Sequence, residues 1–175
     1  PYAQDEPGGR LWWFGFEPGG PGAGRQRPLD KSRSPLAPYV GTSSDRFQCP
    51  AFAYDDPRYF AKFARPSASL GFNLQLSHAR LSALALRSSN VFLLADGIHF
   101  DFNPGFNEGH YLQYSSNPLA KSGYAHFRHL GRAQYLLLDG HVAQQTLRGT
   151  PHTIMGGGSA GNLTASDGSA ALYGF

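Results

Sequence analysis

The sequence predicts an α+β fold built mainly on an antiparallel β-sheet, with long loops rich in Gly and Pro and one or two short helices. Composition points this way, because the 175 residues include 22 Gly and 13 Pro, and only 15% are charged. A helical protein would need periodic stretches rich in Ala, Glu and Lys, and few windows supply them. The chain is long enough for one domain with a hydrophobic core.

A hairpin near the C-terminus is the clearest local signal. Asp139-Gly140 separates an apolar run from a second short run, and Gly accepts the positive φ that a two-residue turn requires. The sequence therefore predicts antiparallel strands over about 133–138 and 141–147. Asp96-Gly97 follows a similar apolar run upstream, so we predict two strands of one sheet that end in the same kind of turn.

The other segments are assigned from periodicity and composition. Two adjacent Trp in 11–16 bury too much area to be left in water, so we predict either a core strand or a buried aromatic plug there. Apolar residues alternate over 69–76, as in a half-buried strand, whereas 77–86 has helical spacing. The remaining long segments are a loose lead-in 1–9, a Pro-rich loop 17–38 and a polar loop 101–124. The predicted domain boundary separates a globular part, 1–148, from a Gly-rich C-terminal tail, 149–175.

Charge and cysteine content exclude several classes of protein. The net charge is +3, and the Arg residues are scattered singly rather than clustered, so we predict no nucleic-acid binding. Cys49 is the only cysteine, which excludes an intrachain disulfide and a multi-cysteine metal site, and we expect it to pack as a small core residue.

The start of the chain bears on export. No apolar stretch approaches the roughly 18 residues of a membrane helix, and the chain begins at Pro1 rather than Met. We therefore expect a processed or truncated product, from which an anchor or export signal has been removed.

Calcium is the one cofactor that the composition of a loop suggests. Oxygen-bearing side chains follow the first Asp-Gly pair closely enough to wrap an ion, although the spacing of an EF-hand is lacking. Turn formation explains the same residue types, so the sequence predicts no cofactor and leaves calcium as an alternative. The candidate ligands are Asp96, Asp101, Asn103, Asn107 and Glu108.

The histidines invite a second metal interpretation, because His126, His129 and His141 lie near the hairpin and His99 follows the first Asp-Gly. Catalytic zinc needs three ligands that converge on one point. On a strand, however, His126 and His129 would face opposite sides of the sheet. We therefore predict packed or surface histidines and no enzymatic activity.

A pairing between His129 and Asp139 would serve structure rather than catalysis. We predict that the two side chains meet as a clamp between the two ends of the intervening strand. A catalytic pair would need a nucleophile, and the Gly-x-Ser-x-Gly turn that exposes a serine nucleophile is lacking.

The spacing of His129, nine residues and Asp139-Gly140 resembles the C-terminal signature of prepilin-type proteins that are named for this His-x9-Asp-Gly motif. These are pseudopilin-like exported proteins. The motif residues here are His129, Asp139 and Gly140, and Asp96-Gly97 repeats the pattern. Further landmarks agree in order over about 11–147: Trp12-Trp13, the segments 35–40 and 47–50, the strand around Gly71-Phe72-Asn73, and 88–97.

The resemblance implies a pseudopilin-like head without its N-terminal helix, and a structural subunit of a type II secretion or type IV pilus-like filament. The implied partners are other pilin-like subunits, in a homo-oligomer or filament of the full-length protein. The membrane would be reached only through the missing helix, and the protein would be exported to the periplasm or the cell surface. Without that helix, an apolar strip of the sheet is expected to be exposed or covered by the tail.

Two other functions stay open at this stage. Trp12 and Trp13, with the aromatic-rich loops, would suit a secreted carbohydrate- or surface-binding module if their side chains were exposed. The histidines would suit a metal-dependent hydrolase if they converged.

Overall fold

The structure of the protein is a computed structural model. It describes residues 3–21, 25–41, 46–77, 79–80, 82, 85–101, 105–114, 123–148, 153–155, 158–163 and 173. The strands are β1 Ala3–Glu6, β2 Gly9–Trp12, β3 Gly15–Pro18, β4 Leu70–Asn73, β5 Phe92–Asp101, β6 Gly105–Glu108, β7 Tyr111–Leu112, β8 Gly123–Phe127, β9 Arg132–Leu137, β10 Val142–Thr146, β11 Thr153–Met155 and β12 Gly158–Gly161. The helices with described bounds are α1 Ala37–Val40 and the 3-10 helices Lys31–Arg33, Leu74–Ser77 and Ala85–Asn90.

Strands dominate the described residues, which confirms the predicted β-rich α+β class. None of the helices in these ranges is long and apolar enough to cross a bilayer. Leu81 and Leu84, at the centre of the predicted helix 77–86, lie outside the described residues, and 3-10 helices flank them. The predicted loop 101–124 contains strands β6 and β7.

The N-terminal segment forms a three-stranded antiparallel sheet in the order β1-β2-β3. Of the two alternatives for 11–16, the buried aromatic plug is confirmed and the single strand is not, because Trp12 pairs with Gly15 and the chain reverses between them. A turn can hold two large aromatic residues here because other segments cover it. Trp13 and Phe14 pack in one cluster with the buried Phe63 and Ala68. The predicted lead-in 1–9 likewise contains a strand, β1.

The main sheet contains nine of the described strands and is centred on β5. The first half of β5 pairs antiparallel with β9 on one side and β4 on the other. Its second half pairs with β8 and β6 instead. The change of partners falls at Asp96-Gly97, since Asp96 is opposite Leu70 of β4 and Gly97 is opposite Ala125 of β8.

The two Asp-Gly pairs therefore do different things. β9 and β10 pair as the predicted antiparallel hairpin, and Gly140 in the connecting turn has φ 91°. Asp96-Gly97, in contrast, lies inside the ten-residue strand β5 and makes no turn.

Gly97 is required by close packing of the backbone. A Cβ atom added at this position would lie 2.3 Å from the carbonyl oxygen of Gly109 and 3.0 Å from the amide nitrogen of Gly71. Real Cβ atoms do not approach other atoms this closely, so the crossing of these segments needs residues without side chains. The local sequence Asp-Gly is the same at both sites, but a contact between distant segments decides its conformation here.

The described part of the segment assigned to a tail belongs to the main sheet. β12 pairs antiparallel with β8, and β11 pairs with β12. Leu163 and Tyr173 are fully buried, in the same core cluster as Phe92 and Phe127. These residues therefore cover the sheet, and the predicted boundary after residue 148 does not divide them from the globular part.

Replacing each of the two glycines by alanine separates their roles. Gly97→Ala should lower the free energy of unfolding by about 3 kcal/mol, because the new methyl group overlaps fixed backbone atoms. Gly140→Ala should cost only about 1 kcal/mol, since a Cβ there meets nothing within 4 Å and only the positive φ is unfavourable. Urea unfolding of both variants measures the difference. Equal costs would show that close packing at Gly97 is not what selects glycine.

Candidate functional site

A buried ion pair lies where β5 changes partners. Asp96 is only 2% exposed, and its Oδ1 accepts a 2.6 Å hydrogen bond from Nη2 of Arg128. The other oxygen, Oδ2, accepts the backbone N–H of Gln134 in β9 at 2.8 Å. Both carboxylate oxygens therefore have a donor, which is what a buried charge requires.

The guanidinium of Arg128 reaches three other groups from its position just after β8. Nη2 also donates to the carbonyl of Ser69 at 3.0 Å, and Nη1 donates to the carbonyl of Gly97 at 3.4 Å. Nη1 lies 3.3 Å from Nδ1 of His126, which can accept when the ring proton is on Nε2. The Arg128 side chain is fully buried, so one cation joins the approach to β4 with β5 and β8.

Cys49 and His129 lie at the rim of this ion pair. The Sγ atom of Cys49 is 3.3 Å from Nε2 of His129, and the same nitrogen is 3.4 Å from Oδ2 of Asp96. The thiol, the imidazole nitrogen and the carboxylate oxygen all lie within 4.8 Å of one another. Cys49 is half-buried and the His129 side chain is 28% exposed, so solvent reaches one side of the cluster.

The geometry of this cluster differs from that of a three-residue relay of nucleophile, base and acid. In such a relay the base contacts the nucleophile through one ring nitrogen, while the acid orients the ring through the other. Here Nε2 of His129 faces both Cys49 and Asp96. Three ligand types suited to a transition metal converge instead.

A second buried polar cluster lies around Glu108. Its Oε1 accepts the hydroxyl of Tyr59 and the backbone N–H of Ser67, both at 2.9 Å. The Ser67 hydroxyl is 2.6 Å from Nε2 of His110, whose ring is 4.4 Å from that of Phe14. Burial raises the pKa of Glu108 above its usual value. Burial, helped by the nearby charge of Lys62, holds the pKa of His110 well below its usual value.

Two of the candidate calcium ligands have other partners among the described residues. The carboxylate of Asp96 is bound to Arg128, and that of Glu108 is bound to Tyr59. Asn107 is buried in β6, opposite His99. The side chain of Asp101 and the whole of Asn103 lie outside the described residues.

The predicted clamp between His129 and Asp139 is wrong. His129 contacts Cys49 and Asp96, whereas Asp139 accepts the backbone N–H of His141 at 3.1 Å and lies 3.0 Å from its Nδ1. The reason is length, since the six residues of β9 span about 20 Å in extended conformation and keep the two ends apart. Hydrogen bonds from His141 lower the pKa of Asp139, which caps its own turn.

The two tryptophans proposed for surface binding are buried, and two of the histidines considered for zinc lie apart from each other. Trp12 and Trp13 are each 6% exposed, and their ring N–H groups donate to Glu17 and to the carbonyl of His110. A glycan-binding surface needs exposed rings, which these two residues do not present. Among the histidines considered for zinc, His126 is buried beside Arg128, and His141 is at the far end of the β9–β10 hairpin.

Sequence reasoning missed the parts played by Arg128 and Cys49. Arg128 follows β8, all of whose residues are buried, and it is buried itself. A buried arginine almost always has a partner of opposite charge. Nothing in the sequence connects Cys49 with His129, which is 80 residues away.

Breaking the buried ion pair should cost far more stability than breaking the exposed one. Asp96→Asn should lower the free energy of unfolding by about 3–5 kcal/mol, because it leaves the Arg128 charge buried without a counter-charge. Asp139→Asn is the matched control at the other Asp-Gly pair, and its cost should be much smaller. Chemical denaturation compares them, and similar losses would contradict the assignment of Asp96 as the structural acid.

His110 should make the fold sensitive to mild acid. The unfolded chain binds a proton at this histidine below about pH 6.5, whereas the buried ring stays neutral, so unfolding becomes easier as pH falls. The slope contributed by one proton is about 1.4 kcal/mol per pH unit. Because the raised pKa of Glu108 acts with the opposite sign, the test is the difference between wild type and His110→Gln. That variant should lose this contribution to the slope, and a slope unchanged in His110→Gln would contradict the prediction.

The chain was compared with protein families, curated proteins and solved structures. No family model, no curated protein and no solved structure matches the chain. The resemblance in the His-x9-Asp-Gly stretch therefore remains a prediction, and the function has to be argued from the geometry of the described residues.

Proposed function

We propose that this chain is the globular part of a pilin-like structural subunit that assembles with further copies of itself or with related subunits. The proposal joins the resemblance in the His-x9-Asp-Gly stretch to one observation, the conformation and exposure of Leu130. This residue lies inside the motif, directly after His129.

Leu130 occupies a turn position that is unfavourable for leucine. His129 and Arg132 exchange backbone hydrogen bonds of 3.0 and 3.1 Å, which closes a two-residue turn between β8 and β9. Leu130 and Gly131 both have positive φ, 53° and 78°, as in a type I′ turn. Asn, Asp or Gly usually fills the first of these positions, and another side chain costs about 1–2 kcal/mol there.

The side chain of Leu130 is fully exposed, so it gains no burial among the described residues that would offset this cost. A single exposed apolar residue is ordinary on a protein surface. An apolar residue that is both strained and fully exposed suggests a contact with another molecule. This combination supports an intermolecular role for the turn.

The sheet edge near the turn suits the same role. β10 lies at the end of the sheet order, with β9 as its partner, and Val142 at its start is 71% exposed. An edge strand offers unpaired backbone groups to a second chain. Two of the three large apolar side chains that are exposed in the described residues, Leu130 and Val142, therefore lie at the two ends of the β9–β10 hairpin.

Four of the other motif residues are used by the fold, whereas His129 lies against Cys49 and Asp96. Asp139 and Gly140 build the turn, Asp96 holds Arg128, and Gly97 permits a backbone crossing. Such roles favour a structural subunit over an enzyme. The proposal also includes export to the periplasm or cell surface and membrane attachment through an N-terminal helix, both of which the resemblance implies.

Replacing Leu130 should raise stability and reduce assembly, so it tests both parts of the proposal. Leu130→Asn should raise the free energy of unfolding of the globular part by about 1 kcal/mol, because Asn tolerates the turn conformation. In the full-length gene product, the same change should reduce the number of filaments seen by electron microscopy. Tyr39→Ser is the matched control, since Tyr39 is 84% exposed but lies on α1, away from the hairpin.

Two results would contradict the proposal. One is a full-length wild-type product that forms no filaments and does not associate with membranes. The other is normal assembly of Leu130→Asn together with a loss in Tyr39→Ser, which would place the contact elsewhere.

A further inference from the structure

We infer that Cys49, His129 and Asp96 form a binding site for a zinc ion, with one coordination position open to solvent. The inference does not rest on the proposed role in assembly. It follows from the spacing of three ligand atoms, from the groups that orient them and from their charge.

The spacing already resembles that of a coordinated ion. Zinc binds Cys sulfur at about 2.3 Å and His nitrogen or carboxylate oxygen at about 2.0 Å, so neighbouring ligand atoms of a tetrahedral site lie about 3.3–3.6 Å apart. Sγ of Cys49 is 3.3 Å from Nε2 of His129, and this nitrogen is 3.4 Å from Oδ2 of Asp96. All three atoms lie within 4.8 Å of one another.

Each ligand is held by further contacts, as metal ligands generally are. Arg128 binds Oδ1 of Asp96, which turns Oδ2 toward His129. Oδ2 accepts one hydrogen bond from the backbone of Gln134 and keeps a second lone pair for an ion. The backbone of His129 is fixed by the two hydrogen bonds that close its turn.

The thiol is anchored from a different part of the chain. The backbone N–H of Cys49 donates to the Ser69 hydroxyl at 2.7 Å, and this hydroxyl lies 3.4 Å from the carbonyl of Phe47. The three ligands therefore come from a loop, from the middle of β5 and from the turn after β8. An ion bound there would tie the loop to the motif turn.

The chemistry of the donors favours zinc over calcium or magnesium. Thiolate and imidazole are preferred by zinc, whereas the hard divalent cations take oxygen ligands. On binding, the Cys49 thiol loses its proton to solvent and the sulfur becomes a ligand. The thiolate and the Asp96 carboxylate then supply two negative charges, and with Arg128 beside the carboxylate the occupied site has a net charge of +1. The partial exposure of His129 leaves room for water as a fourth ligand.

Zinc titration of the purified protein tests the inference directly. Competition with a chromogenic chelator should give one Zn²⁺ per chain, and Cys49→Ser and His129→Gln should each weaken binding about tenfold or more. His141→Gln is the matched control, because His141 also lies beside a carboxylate, that of Asp139, but has no thiol in its cluster. This variant should bind zinc as the wild type does.

Cobalt substitution keeps the test independent of the variants' folding. Co²⁺ added to the wild-type protein should produce a thiolate-to-cobalt charge-transfer band, which only a bound sulfur gives. Lack of that band, failure to bind zinc at one ion per chain, or unchanged affinity in a folded Cys49→Ser protein would each overturn the site.

Discussion

The buried ion pair between Asp96 and Arg128 is the interaction on which the main sheet depends. A charge removed from water destabilises a protein unless it is paired and hydrogen-bonded. Here both oxygens of Asp96 have donors, and Arg128 also donates to the carbonyls of Ser69 and Gly97. Because these partners belong to the approach to β4, to β5 and to β9, the pair fixes how those segments meet.

The ion pair lies at the point in β5 where the strand changes its pairing partners. The first half of β5 pairs with β9 and β4, and after Asp96-Gly97 the second half pairs with β8 and β6. Asp96 supplies the charge that holds Arg128 between them. Gly97 supplies the space through which the backbone at Gly109 passes. The two residues therefore act together: Asp96 binds the Arg128 side chain, and Gly97 allows close approach of the Gly109 backbone.

Sequence reasoning succeeded where local chemistry decides the structure. The β9–β10 hairpin was predictable because the turn needs only Asp139, Gly140 and flanking apolar residues. The same dipeptide at Asp96-Gly97 misled, because its conformation is decided by Gly109 and Arg128, which are distant in sequence. For 11–16 the burial of the aromatic residues was predictable, whereas the chain reversal at Trp13 was not, since segments far along the chain cover this turn.

The candidate site shows the same limit more strongly. His129 and Asp96 stand out in the sequence, but their partners do not: Cys49 is 80 residues from His129, and Arg128 is 32 residues from Asp96. The strand β12 was equally unpredictable from sequence, because Gly158–Gly161 has little apolar character and forms a strand by pairing with β8. The His-x9-Asp-Gly stretch is thus mostly exposed or half-buried, with Leu130 fully exposed, whereas the Asp96-Gly97 pair that repeats its pattern is buried in the sheet.

A double-mutant cycle between Asp96 and Arg128 tests the central claim most directly. The free energies of unfolding are measured for wild type, Asp96→Asn, Arg128→Met and the double variant. If the two charges stabilise the fold as a pair, the double variant loses clearly less than the sum of the single losses, by about 2–3 kcal/mol. Losses that add to within about 0.5 kcal/mol would show that the residues act independently and would contradict the account.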